Sequence, residues 1–148
     1  MPVSANALNA AALHVGDVMT PNPVTLAREA RLSEAWEIMD ERHINHVPVM
    51  NGEQLVGILS ERHVRDAMPS ILTLSDKEAR RKTLHLTRVE QVMLERPATV
   101  RKDATVLEAI RTMRRFRAGS LPVIDAGRVV GIVTSGDLIS LLEKILKG

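Results

Sequence analysis

Within seven residues near the C-terminus, Gly131-Ile132-Val133-Thr134-Ser135-Gly136-Asp137 brings together glycine, hydroxyl and carboxylate chemistry. A glycine admits a close backbone approach. Thr134 would set a hydroxyl beside the free N–H groups of a helix N-terminus, whose dipole attracts phosphate. Asp137 offers two acceptor oxygens, the number needed to take both hydroxyls of a ribose. The same Thr134/Asp137 spacing is that of a helix-capping pair, and spacing alone leaves both roles open.

A second copy of this pattern lies upstream, in Gly57-Ile58-Leu59-Ser60-Glu61-Arg62-His63. It keeps the glycine and the hydroxyl but places His63 where the carboxylate stands in the other. A neutral imidazole has one donor and one acceptor and does not receive a ribose diol as a carboxylate does. The expectation is therefore two unequal sites, the upstream one empty, weaker or engaged through phosphate alone. His43 and His46, with His63, have spacing that invites a metal. The chain has no cysteine, nothing supplies thiolate, and we assign no metal site. Arg111, Arg114 and Arg115 fall off the apolar stripe of their helix and read as a solvated face. Arg117 ends that helix as a candidate phosphate contact. Met39 and Met113 read as core filler.

These residues sit in a chain that is one unit written twice. A shift of 74 residues carries Pro23 onto Pro97, Thr25 onto Thr99, Ala30 onto Ala104, Glu34 onto Glu108, Pro48 onto Pro122 and Val56-Gly57-Ile58 onto Val130-Gly131-Ile132, without a gap. Val15, Val18 and Met19 fall on Val89, Val92 and Met93. The first repeat covers residues 15–65, the second residues 89–146, with a linker over 66–88. In each, a short extended run (Pro23 to Leu26) precedes a helix whose stripe is Leu32, Ala35, Trp36 and Met39, or Val106, Ala109, Ile110 and Met113. Thr105 with Glu108 has capping-box spacing. A hairpin follows, Val47–Met50 with Leu55–Leu59 around Asn51-Gly52-Glu53, and Leu121–Ile124 with Val129–Val133. The last helix is strongest over Leu138–Leu146. The order is strand, helix, strand, strand, helix, an α/β (α+β) unit. In the linker, Pro69-Ser70 breaks structure, Ser75 with Glu78 marks a helix start, and a short helix over Asp76–Leu84 carries Arg80, Arg81 and Lys82 on a solvated face.

Composition narrows the function further. The chain of 148 residues is long enough for a self-sufficient core. With 45% hydrophobic residues and only Trp36 and Phe116 as aromatics, that core must be aliphatic. The lack of aromatic platforms argues against single-stranded nucleic-acid binding, and a formal charge of +2 does not call for a polyanion. Residues 1–13 lack the basic start and apolar core of a signal peptide, and no run approaches the ~20 apolar residues of a membrane helix. We expect a soluble cytoplasmic protein with no membrane association. No Walker-type loop, Ser-His-Asp signature or evident acid–base carboxylate pair occurs, so we do not expect an enzyme.

The duplicated unit, with Leu121-Pro122-Val123 opening the second strand and Gly131 to Asp137 leaving the third, resembles a CBS-domain pair (Bateman module) from about Val15 to Ile145. The segment after Ser60-Glu61-Arg62 is similar to the acetoin-utilisation type of stand-alone pair. The resemblance implies two β-α-β-β-α CBS repeats packed about a pseudo-twofold axis, with two clefts able to take an adenosine-containing ligand. Carried over, the better site joins Gly131, Ile132, Thr134 and Asp137 with Thr20, Ile44, Asn45 and His46. The weaker one joins Gly57, Ile58, Ser60 and His63 with Leu94, Ala118, Gly119 and Ser120. The implied ligand is AMP, ADP, ATP, NAD or S-adenosylmethionine, with no cofactor required. The implied role is a sensor that signals to an effector protein, commonly as a homodimer. The alternative of another class is a constitutive assembly module with vestigial clefts. The homodimer is expected to use Leu138, Leu141, Leu142 and Ile145 of the last helix.

Overall fold

A computed structural model of the chain describes residues 12–69 and 76–148. The elements are α1 (Val15–Val18), β1 (Thr20–Pro21), β2 (Leu26–Ala27), α2 (Leu32–Arg42), β3 (His46–Asn51), β4 (Gln54–Ser60), α3 (Glu61–Ala67) and α4 (Asp76–Leu86). A 3-10 turn, Val89–Gln91, then leads to β5 (Leu94–Glu95), β6 (Val100–Arg101), α5 (Val106–Phe116), β7 (Ser120–Asp125), β8 (Arg128–Thr134) and α6 (Ser135–Lys147). The fold is mixed α+β, with two four-stranded sheets ordered β2-β3-β4-β5 and β1-β8-β7-β6.

The compact units in space are not the repeats in sequence. One unit holds the chain up to Pro23 together with Ala98–Gly148, and the other holds Val24–Pro97. The cause is the short strand that opens each repeat. β1 pairs antiparallel with β8, Thr20 opposite Ile132, while β5 pairs antiparallel with β4, Leu94 opposite Ile58. Each sheet is thus completed by a strand from the start of the other repeat. Two-residue strands carry too little periodicity to be read from sequence, and neither was expected.

The core of each unit follows the same exchange. In the unit of Val24–Pro97, Leu26, Leu32, Ala35, Met39, Val47, Val49, Leu59 and Val64 pack with Val89, and Leu84 of α4 packs beside them. In the other, Val100, Ala109, Met113, Leu121, Val123 and Val133 pack with Val15, against which Leu138 of α6 lies. Val15 and Val89 are both fully buried and are equivalent under the 74-residue shift.

The duplication extends to the backbone. Asn22 and Arg96 (φ 47° and 49°), His43 and Arg117 (53° and 52°), and Gly52 and Ala126 (62° and 49°) are left-handed pairs at the same repeat positions. Both hairpins turn on two residues, and a register irregularity sits at Val49/Met50 in one and Val123/Ile124 in the other. Thr105 caps α5 as its spacing predicts, its hydroxyl accepting from Glu108 N–H at 3.1 Å while the Glu108 carboxylate accepts from Thr105 N–H at 3.0 Å. The linker helix ends at Leu86, two residues beyond the expected end. Ser70 and Ser75 lie outside the described residues.

Two expectations need correction. Trp36, read as part of the apolar stripe of α2, is 39% exposed. The stripe of an 11-residue helix is filled by Leu32, Ala35 and Met39, and Trp36 lies at its edge. On α6 the outward residues are not the set expected from the sequence. Leu138 is half-buried on the core, Leu141 and Ile145 are half-buried, and Ile139, Leu142 and Leu146 are 66%, 54% and 77% exposed.

Candidate functional site

In the unit containing β8, the strand leads directly into α6 at Thr134. The Thr134 hydroxyl accepts from Asp137 N–H at 3.2 Å, and Asp137 Oδ2 accepts from Thr134 N–H at 2.8 Å and from its hydroxyl at 3.2 Å. The capping role is therefore realised in full. It uses one carboxylate oxygen, and the pair is only half-buried. Asp137 Oδ1 makes none of these bonds and is left to accept from a ligand, so capping and ligand recognition are compatible in one side chain.

The neighbours of this cap come from three places. Ser120 is opposite Thr134 in the β7–β8 ladder and is buried. The Gly119 carbonyl accepts from Ser135 N–H at 3.0 Å, which holds Ala118 and Gly119 over the start of α6. Thr20, exposed, pairs with Ile132, and Pro21 pairs with Gly131. Thr20, Ala118, Gly119, Ser120, Thr134 and Asp137 thus lie along one end of one sheet, at the first turn of α6, where Thr134, Ser135 and Asp137 N–H are engaged by these bonds and Gly136 N–H is not.

The structure gives Gly131 a further task. A Cβ there would collide with the Met19 thioether and stand 3.0 Å from the Thr20 carbonyl oxygen. Gly57 is equivalent, its Cβ meeting the Met93 thioether and standing 2.9 Å from the Leu94 carbonyl oxygen. The close approach that these glycines permit is that of the exchanged strands, which carry Thr20 and Leu94 to the ends of the sheets.

The other unit has the same scaffold with different chemistry. Ser60 caps α3, its hydroxyl accepting from His63 N–H at 3.1 Å, and His63 Nδ1 accepts from Ser60 N–H at 3.0 Å. Because Nδ1 accepts, the neutral ring carries its proton on Nε2. The imidazole reproduces the carboxylate's cap and presents a donor where Asp137 presents an acceptor. His46 is opposite Ser60 in the β3–β4 ladder, and the Asn45 carbonyl accepts from Glu61 N–H at 2.8 Å. Burial holds the pKa of His46 below its ordinary value of 6.5, and the nearby His63 lowers it further. His63 is likewise lowered mainly by burial, with Asp66 opposing and Arg62 reinforcing the shift.

Ile44, Asn45, His46, Ile58, Ser60, His63 and Leu94 therefore belong to one unit, and Thr20, Ala118, Gly119, Ser120, Gly131, Ile132, Thr134 and Asp137 to the other. The sequence reading grouped Ile44, Asn45 and His46 with Asp137, and Ala118 to Ser120 with His63. Within one unit, His46 is opposite Ser60, and within the other, Ser120 is opposite Thr134. The two-residue loop at Ala126-Gly127 and the register shift between Val123 and Ile124 together set Ser120 opposite Thr134. Arg111, Arg114, Arg115 and Arg117 are exposed, with Arg115 over the Phe116 ring at 5.4 Å. Among the described residues, no three His, Cys, Asp or Glu side chains are grouped to hold a metal ion, and no helix is long and apolar enough to cross a membrane.

Comparison with known proteins agrees with this geometry. A family model described as CBS domain matches residues 15–70 and again 89–144. A CBS domain-containing protein of Dictyostelium discoideum is 33% identical over 135 residues, covering 90% of this chain and 93% of that one. Other curated relatives are longer, and the chain spans less than half their length. Among solved structures, a protein described as acetoin-utilization AcuB from Vibrio cholerae is 28% identical at a TM-score of 0.76, covering 92% of this chain and 96% of that one. CBSX2 of Arabidopsis thaliana, solved in complex with AMP, is 25% identical at 0.73, covering 89% and 97%. The CBS domain pair of protein MJ0100, solved with 5'-methylthioadenosine and S-adenosyl-L-methionine, is 26% identical at 0.71, covering 89% and 97%.

Proposed function

The chain belongs to the CBS-domain family as a pair of repeats, and on that premise we propose that it is a cytoplasmic regulatory module that binds an adenosine-containing ligand through the unit carrying Asp137. The observation that carries this reading is the division of labour at Asp137. One carboxylate oxygen completes the cap of α6, and the other has no bond among the described residues, beside half-buried Thr134. The free oxygen accepts from the ribose hydroxyls. The Gly136 N–H at the start of α6 and the Thr20 hydroxyl donate to phosphate or another polar substituent. Ile132 and Ala118 supply apolar surface to the base. That two relatives of this fold are solved with AMP and with S-adenosylmethionine supports the ligand class.

The second unit binds more weakly in this reading, because His63 offers an Nε2–H donor that suits an anionic group and not a ribose diol. Binding is reported to an effector protein by a shift in the population of conformations, which requires the ligand to favour one state over another. Nothing in this mechanism calls for catalysis or a cofactor.

The exposed edge Ile139, Leu142 and Leu146 of α6 favours a homodimer and keeps the assembly reading alive. The two readings separate in a melt. Selective binding to the folded state must raise the melting temperature, by about 2.7 kcal/mol of stabilisation at a hundred times Kd. A melting temperature unmoved by millimolar AMP, ATP and S-adenosylmethionine would leave the assembly role alone.

A further inference from the structure

In the unit of Val24–Pro97, a cavity of about 270 Å³ opens between the C-terminal half of α2 and the start of α3. Trp36, Asp40, His43 and Glu61 line it, with Met39 and Ile44 as apolar walls. Trp36 and Asp40 are four residues apart on one helix and so occupy the same face. Asp40 is exposed and has no ion-pair or hydrogen-bond partner among the described residues. Glu61 has only Arg65, at 3.8 Å, and that guanidinium is 63% exposed. No lysine or arginine lines the cavity, although the chain as a whole is cationic. The feature is not a property of the repeat scaffold. At the equivalent positions of the second repeat, Trp36, Asp40, His43 and Glu61 are replaced by Ile110, Arg114, Arg117 and Ser135.

From these residues we infer that the Trp36/Asp40/Glu61 cavity is a docking site for the guanidinium of an arginine side chain presented by a partner polypeptide. An aromatic face flanked by two carboxylates is complementary to a cation. The single aromatic wall selects among cations. A quaternary ammonium is held by a cage of several rings, whereas a planar guanidinium stacks on one ring and pairs with carboxylate oxygens through its fork of donors. The volume accommodates the end of a side chain and little more. The site shares Ile44 and Asn45 with the residues considered for the nucleotide but requires no nucleotide, so it stands or falls independently of that reading.

Trp36 is the only tryptophan, so its fluorescence reports the cavity directly. The purified chain is titrated with N-acetyl-arginine-methylamide at constant ionic strength, without nucleotide. The expected result is a saturable change, at least about tenfold weaker in the variant D40N/E61Q, and absent with the uncharged isostere N-acetyl-citrulline-methylamide. Free L-arginine carries the same guanidinium on a zwitterionic α-carbon whose ammonium and carboxylate offset each other, and it is expected to bind no more tightly than the capped form. Far-UV circular dichroism verifies that the double variant is folded. Should it not be folded, the comparison of arginine with citrulline on the unmodified chain decides alone. No saturable change, an equal response to citrulline, or an unaltered affinity in folded D40N/E61Q would overturn the site. Tighter binding of free arginine than of the capped form would overturn the assignment to a polypeptide.

Discussion

The proposed function gives the Asp137 carboxylate a ligand-binding role beside its cap of α6, and replacing it separates the two. In Asp137→Ala the bonds from Thr134 N–H at 2.8 Å and from the Thr134 hydroxyl at 3.2 Å are both lost. Loss of a cap of this kind costs about 0.5–2 kcal/mol, which for a chain of this size lowers the melting temperature by roughly 2–8 °C. Loss of the free oxygen removes a charge-assisted bond to ribose worth about 1.5–3 kcal/mol, a weakening of roughly ten- to a hundred-and-fifty-fold. Asp137→Asn divides these effects. Its amide oxygen accepts from Thr134 N–H and preserves most of the cap, while its NH2 group is a donor and does not accept a ribose hydroxyl. Calorimetric titration with AMP beside a thermal melt reads both. We expect Asp137→Ala to lose stability and affinity, and Asp137→Asn to lose mainly affinity. If Asp137→Ala melts lower but binds AMP as the unmodified chain does, the carboxylate is a cap only and the site is wrongly placed.

Other consequences are independent of that result. Gly131→Ala must displace the Thr20 carbonyl or the Met19 side chain, so we expect a loss of about 1–3 kcal/mol from overpacking in denaturant unfolding. His63→Asp restores an acceptor in the second unit, and calorimetry should then find a second, stronger nucleotide site per chain. The pKa values of His46 and His63 are lowered on folding, so the unfolded chain takes up their protons first. Stability is accordingly full above the unfolded value of 6.5 and falls as pH drops below it, until the folded imidazoles also titrate. A denaturation series from pH 8 to 5 tests the sign, and stability that rises on acidification would contradict it. By light scattering we expect the unmodified chain to be a dimer and Leu142→Asp, on the exposed edge of α6, to be a monomer.

The fold was legible where the sequence carries long periodic signals. The stripe Val106, Ala109 and Met113, the Thr105/Glu108 cap and the hairpin pair Leu121–Ile124 and Val129–Val133 each state their element through spacing. The gapless shift of 74 residues exposes the duplication. The exchange of opening strands was not legible, because Thr20–Pro21 and Leu94–Glu95 are two residues each and their partners are remote in sequence. Ser120 meets Thr134 through a hairpin ladder, a local fact, whereas the grouping with Ile44, Asn45 and His46 was taken from the resemblance. Trp36 was misread because helical periodicity does not distinguish the edge of an apolar stripe from its centre. Spacing could not divide the cap at Asp137 from the ribose acceptor proposed there, since both want the same residue at the same position.

The most direct test is a titration of isotope-labelled chain with AMP, followed by backbone amide resonances. Perturbations concentrated at Thr20, Gly119 and Thr134 to Asp137, saturating at one AMP per chain, are the predicted result. Saturable binding that leaves these amides unmoved, or no binding at millimolar AMP, would contradict the account.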